Sequence, residues 1–251
     1  MLAIDHLTKR FGGKVAVDDL CIRVAEGEFY AFLGPNGAGK TTTLKCVAGL
    51  LWPTSGRLTV GGHDVHADPV AAKGLLSYVP DQPYLYEKLS GREFLAFVGR
   101  LYGLDRQACA AGVRRYLELF EAGEWADELA ENYSHGMRQK IVLSAALLHE
   151  PRLLVVDEPM VGLDPRSTKL VKTVLRQRVE AGCAMLMSTH ALSIAEELAD
   201  RIGIIDRGRL IAEGTYEELR RSVAASDGLE DLFLQVTGSA ADPPAPASSG
   251  T

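Results

Sequence analysis

Leu20, Ile22 and Val24 alternate with polar neighbours, which is the period of a strand with one buried face. Phe29, Tyr30, Ala31, Phe32 and Leu33 follow as an unbroken apolar run that predicts a buried strand, and this run enters a glycine-rich turn from which 42–50 can form a helix. The period then changes. Phe94, Phe97, Val98 and Leu101 share one helical face, as do Val113, Tyr116, Leu117 and Phe120, and both stripes are expected to form the core of a helical insert. Two further apolar runs, 153–156 and 184–187, flank a predicted helix around 170–180 in the strand–helix–strand order of a parallel sheet. One domain over 1–237, with its helical insert at about 83–150, accounts for the pattern. The remainder, 238–251, has no large apolar side chain to bury and is expected to be disordered.

Composition narrows the functional classes. At 251 residues and 47% hydrophobic content the chain can bury a sizeable core. No apolar run approaches the roughly 20 residues needed to span a bilayer, and Met1 to Arg10 lacks a signal peptide's apolar core, so a membrane role requires a partner. The net charge of −6 disfavours nucleic acid as that partner. Cys21, Cys46, Cys109 and Cys183 stand far apart, which suggests neither a zinc site nor a disulfide framework and fits a reduced cytosolic setting.

Gly34-Pro35-Asn36-Gly37-Ala38-Gly39-Lys40-Thr41 matches the phosphate-binding P-loop pattern, between a predicted strand and a helix that begins near Thr42. Glycines there let consecutive backbone N–H groups curl around phosphate oxygens. Lys40 adds a charge near the β- and γ-phosphates, and the Thr41 hydroxyl can ligate Mg²⁺. A P-loop alone does not separate kinases, GTPases, motors and transport ATPases. The strand at 153–156 ends in Asp157, a candidate Mg²⁺ neighbour, followed by Glu158, a candidate acceptor of a proton from attacking water.

With Tyr133-Ser134-His135-Gly136-Met137-Arg138-Gln139-Lys140 standing shortly before Asp157-Glu158, the chain resembles the ABC ATPase family, in which such a stretch is the signature segment. Gly162-Leu163-Asp164 and Ser188-Thr189-His190 extend the resemblance, which runs to about Val236. It implies an α/β fold: a P-loop NTPase core with a parallel sheet, an N-terminal antiparallel β region and an inserted helical subdomain. It also implies ATP held between two chains paired head to tail, with Ser134, Gly136 and Met137 of one facing the nucleotide of the other. His190 would meet the γ-phosphate, and Phe11 would stack on adenine. Each role has a plainer rival: a core phenylalanine for Phe11, an ordinary N-cap for Ser134, a helix-start histidine for His190.

The signature segment departs from the usual pattern, which has leucine first and glycine and glutamine where His135 and Met137 stand. After Tyr78-Val79-Pro80, where the family usually carries a glutamine, this chain has Asp81 and then Gln82, so either side chain is a candidate Mg²⁺ ligand. Tyr84 and Tyr86 beyond them read equally as a groove for a membrane partner or as part of the insert's core. The resemblance implies a cytoplasmic ATPase subunit held at the inner face of the membrane by an integral-membrane subunit, with a second ATPase copy or paralogue. Gly162-Leu163-Asp164-Pro165 and Asp81 resemble exporters more than importers. The alternative is a soluble relative acting on nucleic acid or the ribosome, but one set of motifs and no extended heptad segment weigh against it. A kinase or GTPase would leave Ser134, Gly136 and His190 without a role.

Overall fold

The computed structural model describes residues 1–222, and the tail expected to be disordered lies outside the described residues. An antiparallel sheet of order β2-β1-β4-β5 is built from β1 (Leu2–Phe11), β2 (Lys14–Val24), β4 (Ser55–Val60) and β5 (His63–Asp64). A second sheet has the order β10-β9-β3-β8-β7-β6. Its members β3 (Phe29–Leu33), β6 (Leu76–Val79), β7 (Leu153–Asp157), β8 (Ala184–Thr189) and β9 (Arg201–Asp206) run parallel, and β10 (Arg209–Gly214) closes one edge antiparallel. The alternation along β2 buries Leu20, Ile22 and Val24, and every residue of β3 is buried, as expected for a strand between two covered faces.

Helix α1 (Lys40–Val47) follows β3 and ends earlier than expected, because the chain turns at Gly49, whose φ of +65° is the left-handed conformation that favours glycine. The short α2 (Pro69–Leu75) precedes β6. Between β6 and β7 stand α3 (Gly91–Leu101), α4 (Arg106–Leu119) and α5 (His135–Leu147). Ser90 and Glu93 form a reciprocal capping box on α3, and Asp105 caps α4 by accepting from two backbone N–H groups. Helix α6 (Pro165–Glu180) connects the neighbouring strands β7 and β8, while α7 (Leu192–Leu198) packs on β3 and α8 (Tyr216–Ser222) on β10. One apolar core lies between the large sheet and the helices α3 to α6, including Leu95, Tyr116, Phe120 and Val156; another surrounds α1, including Tyr30, Phe32, Leu44 and Leu58. Each such side chain contributes about 1.5–3 kcal/mol by leaving water.

The α4 stripe Val113, Tyr116, Leu117 and Phe120 is buried as its period predicts. The α3 stripe is borne out in part: Phe94 and Val98 are half-buried against the core, whereas Phe97 and Leu101 are exposed, and the fully buried positions are Gly91, Leu95 and Gly99. Close approach is the reason. A Cβ at Gly99 would stand 2.5 Å from Cys109 Sγ and 3.1 Å from Leu148 Cδ2, so α3 seats its smallest residues against α4 and α5, keeps Phe94 and Val98 packed at the core's margin and turns Phe97 outward. Gly99→Val is therefore expected to lower unfolding stability by about 1–3 kcal/mol, measured as a shift in denaturant midpoint at constant m-value.

Tyr84 and Tyr86 are also exposed, so their burial inside the insert is ruled out; Leu85 between them is the buried anchor. All four cysteines are free, with Cys21 exposed and Cys46, Cys109 and Cys183 buried. Burial pushes the Cys46 and Cys183 thiols up to about 11.

Candidate functional site

Because β3, β7 and β8 are parallel neighbours, their C-terminal ends share one edge of the sheet, where α/β folds gather their ligands. β3 delivers Gly34 to that edge. A Cβ at Gly34 would lie 2.4 Å from the Ile205 carbonyl of β9, and one at Gly39, whose φ is +114°, would lie 2.5 Å from the Ala16 carbonyl. Only glycine fits at either position, and the loop curls between them into α1. Lys40 starts that helix almost fully buried and donates from Nζ to the carbonyls of Gly34 (2.6 Å) and Pro35 (3.2 Å). Burial lowers its pKa from the ordinary lysine value, while Glu158 and Asp157 act in the opposite direction.

A cavity of about 390 Å³ opens over the loop, lined by Phe11, Asn36, Gly37, Gly39, Lys40, Thr41 and Thr42 together with the carboxylates of Asp81, Asp157 and Glu158. Pro35 and Ala38 support the turn from beneath, through an Ala38 N–H to Pro35 carbonyl bond of 3.2 Å. Phe11 is not a core residue. It is 48% exposed on the cavity wall, with Lys9 Nζ 4.9 Å from its ring centroid. A flat, accessible ring suits stacking on a base.

Asp157 closes β7 fully buried, and Ser188 Oγ of the adjacent strand donates to its Oδ1. Its Oδ2 is buried without a partner. Such an oxygen is costly to leave unmade and calls for a cation or water, so the Thr41 hydroxyl and the Asp157 carboxylate fit a hard, oxygen-loving ion such as Mg²⁺. Among the described residues no cluster of three or more His, Cys, Asp or Glu forms a metal cage by itself, so a cation there would complete its shell with phosphate and water oxygens.

Glu158 holds a φ of +48°, unfavourable for a residue with a long side chain, and its N–H donates to the Ser188 carbonyl at 3.2 Å. The strained turn aims its carboxylate into the cavity. His190, just past β8, sets Nδ1 2.9 Å from Glu158 Oε1, so the two side chains meet although 32 residues separate them. A carboxylate oriented by an imidazole beside a phosphate cradle can assist attack by water.

Asp81 reaches the P-loop cavity and Gln82 does not: both line an adjoining cavity of about 670 Å³, with His135, Arg138, Glu158, Val161 and His190 among its walls, and Asp81 alone also lines the first. Ser134 caps α5, its Oγ accepting from the Met137 N–H at 3.3 Å, which satisfies the plain N-cap reading. Ser134, Gly136 and Met137 line neither cavity, so one chain does not bring them to its own P-loop. Asp164 caps α6 and accepts from the Arg166 and Ser167 N–H groups. No local motif marks Ser188 as a partner of Asp157, and the contact follows from the parallel register that sets those two residues side by side.

The protein-family profile described as ABC transporter matches residues 17–161. The daunorubicin resistance ATP-binding protein DrrA3 of Streptomyces coeruleorubidus is 41% identical, covering 87% of this chain and 69% of its own. The linearmycin resistance ATP-binding protein LnrL of Bacillus subtilis (strain 168) is 38% identical over 94% of this chain and 75% of its own. A solved structure described as the ATP binding subunit of an ABC transporter superposes with a TM-score of 0.88 at 31% identity, covering 94% of this chain and 99% of that one. The phosphate cradle, the acid-ended strand beside it and these similarities agree: the chain belongs to the ABC transporter family, as one of its ATP-binding subunits.

Proposed function

We propose that this chain hydrolyses ATP with Mg²⁺ in a head-to-tail pair with a second ATPase subunit, a copy or a paralogue, and drives export through a separate integral-membrane subunit. The observation that carries the reading is the division of the site. The P-loop, Asp157 with its unpartnered oxygen, and Glu158 line one cavity, Glu158 also meets His190 in the adjoining one, and Ser134, Gly136 and Met137 stand outside both and are free to complete another chain's. Phe11 stacks on adenine; the loop N–H groups and Lys40 hold the phosphates; Thr41, Asp157 and Asp81 hold the cation. Bound Mg²⁺ would neutralise developing charge on the phosphate oxygens. Glu158 takes the proton of attacking water, and His190 keeps its carboxylate aimed and donates toward the γ-phosphate.

The placement of Asp81 supports it, rather than Gln82, as the oxygen ligand. Asp81→Asn is expected to raise the Mg²⁺ concentration for half-maximal hydrolysis several-fold, whereas Gln82→Ala leaves it near wild type. The reverse outcome would move the ligand to Gln82.

No helix among the described residues is long and apolar enough to cross a membrane. Contact with the membrane then falls to a partner, and the surface that suits one lies just beyond Asp81. Tyr84 and Tyr86 meet edge to face at 5.9 Å, Tyr86 reaches Phe97 at 5.7 Å, and all three rings are exposed. An exposed aromatic cluster of this kind fits an apolar helix of the membrane subunit and would hold the subunit at the inner membrane face. The resistance names of the relatives favour export, since removing a toxic compound relieves it. Those names lend nothing to a role on nucleic acid or the ribosome.

The test is co-purification of the chain with its integral-membrane subunit. Tyr84→Ala with Tyr86→Ala should cut recovery of the complex at least about tenfold and abolish partner-stimulated hydrolysis, while ATP binding by the isolated chain persists. Full recovery of a coupled complex would refute the docking surface.

A further inference from the structure

The signature segment carries a histidine where the pattern has glycine, and that side chain is engaged. His135 Nε2 donates to the Val161 carbonyl at 3.0 Å, and its ring lies over Gly162, where a Cβ would come within 3.0 Å of His135 Cδ2. Beside it Gly136 faces Leu163, whose Cδ2 would be 3.5 Å from a Cβ at that glycine. Val161 to Leu163 belong to the turn that starts at Glu158: the Val161 N–H donates to the Glu158 carbonyl and the Leu163 N–H to that of Met160, each at 3.3 Å. The turn ends at Asp164, the cap of α6. His135 therefore joins two segments 26 residues apart, the one that begins with the cap Ser134 and the one that leaves the Glu158–His190 pair.

We infer that His135 is a positioning residue that locks the signature segment to the 158–164 turn, so that each chain presents both to its partner as one preformed surface. The inference rests on the proposed head-to-tail pairing. A glycine would leave the two segments to be ordered during closure, and the ordering entropy would weaken the dimer. The tie also gives the two sites of a pair a mechanical link, because a change at Glu158 in one chain reaches the segment that completes the other chain's site through a single side chain.

The experiment measures ATP-dependent dimerisation by sedimentation in a Glu158→Gln background, with His135→Gly and His135→Gln added separately. The glycine variant should need about tenfold more ATP for half-maximal dimer, the equivalent of one hydrogen bond lost from each chain. Binding of a fluorescent ATP analogue to the monomer should stay within error, and the thermal midpoint without nucleotide should fall by no more than a few degrees, as one intrachain hydrogen bond requires. The glutamine variant, whose amide can donate to Val161 in place of Nε2, should recover most of the loss. With Glu158 restored, His135→Gly should also make the dependence of hydrolysis on ATP less cooperative than wild type. An unchanged ATP requirement in the glycine variant overturns the role of His135, as does a loss that the glutamine variant fails to recover. A Glu158→Gln background that forms no dimer at any ATP concentration instead refutes the pairing on which the inference rests.

Discussion

Glu158→Gln is expected to slow ATP turnover by about 10²–10⁴-fold while leaving ATP bound, and to accumulate as an ATP-dependent dimer. The glutamine keeps the reach of the carboxylate and its contact with His190 Nδ1, but its amide cannot take a proton from water. It also removes a negative charge beside the γ-phosphate, where Glu158 shares the cavity with Asp157 and Asp81, so the closed state should gain stability. Rapid-quench measurement of phosphate release together with sedimentation in ATP and Mg²⁺ separates chemistry from assembly. Ser134→Arg in the same background should prevent the dimer by placing bulk and misdirected charge in the neighbouring chain's site. Wild-type turnover in Glu158→Gln would refute the general-base role. Persistent ATP-driven dimers in the double variant would refute the signature interface.

Lys40→Ala is expected to reduce hydrolysis by about 10²–10³-fold or more and to weaken ATP binding by about ten- to a hundredfold. The side chain is buried in the cavity floor and holds the Gly34 and Pro35 carbonyls, so the cation stands ready where phosphate charge must be met. Burial already disfavours its charged form, and alanine relieves that cost. The thermal midpoint without nucleotide should therefore change little, while the rise that ATP produces in wild type should vanish. A variant that still hydrolyses near the wild-type rate would remove Lys40 from the reaction.

The parts of the site that a reader of the sequence could place are those carried by local pattern. The apolar run of β3 entering the glycines, the run of β7 ending at Asp157, and Ser134 before an apolar-periodic helix each hold their evidence within about ten residues. Period identifies a helical face but not the neighbour it meets, which is why it does not separate the half-buried Phe94 and Val98 of α3 from the exposed Phe97 and Leu101. The helix packs through Gly91 and Gly99, and residues without side chains leave no hydrophobic signal. The bond from Ser188 to Asp157 depends on a strand register set by tertiary packing across 31 residues. Asp81 and Gln82 are adjacent in sequence and each offers a side-chain oxygen, so only the path of the loop shows which of them reaches the P-loop cavity.

The uneven burial of the four thiols gives the chain a built-in reporter. Only Cys21, on the solvent side of β2, is accessible, while Cys46, Cys109 and Cys183 are enclosed and two of them also hold their protons to about pH 11. Thiolate is the species that alkylating dyes attack, so a maleimide applied near pH 7 should label the native chain at one position without any cysteine being engineered away. Cys21 sits five residues along the strand that carries Ala16 to the cavity, about 17 Å away, so a fluorophore attached there would mark the chain without filling the cavity.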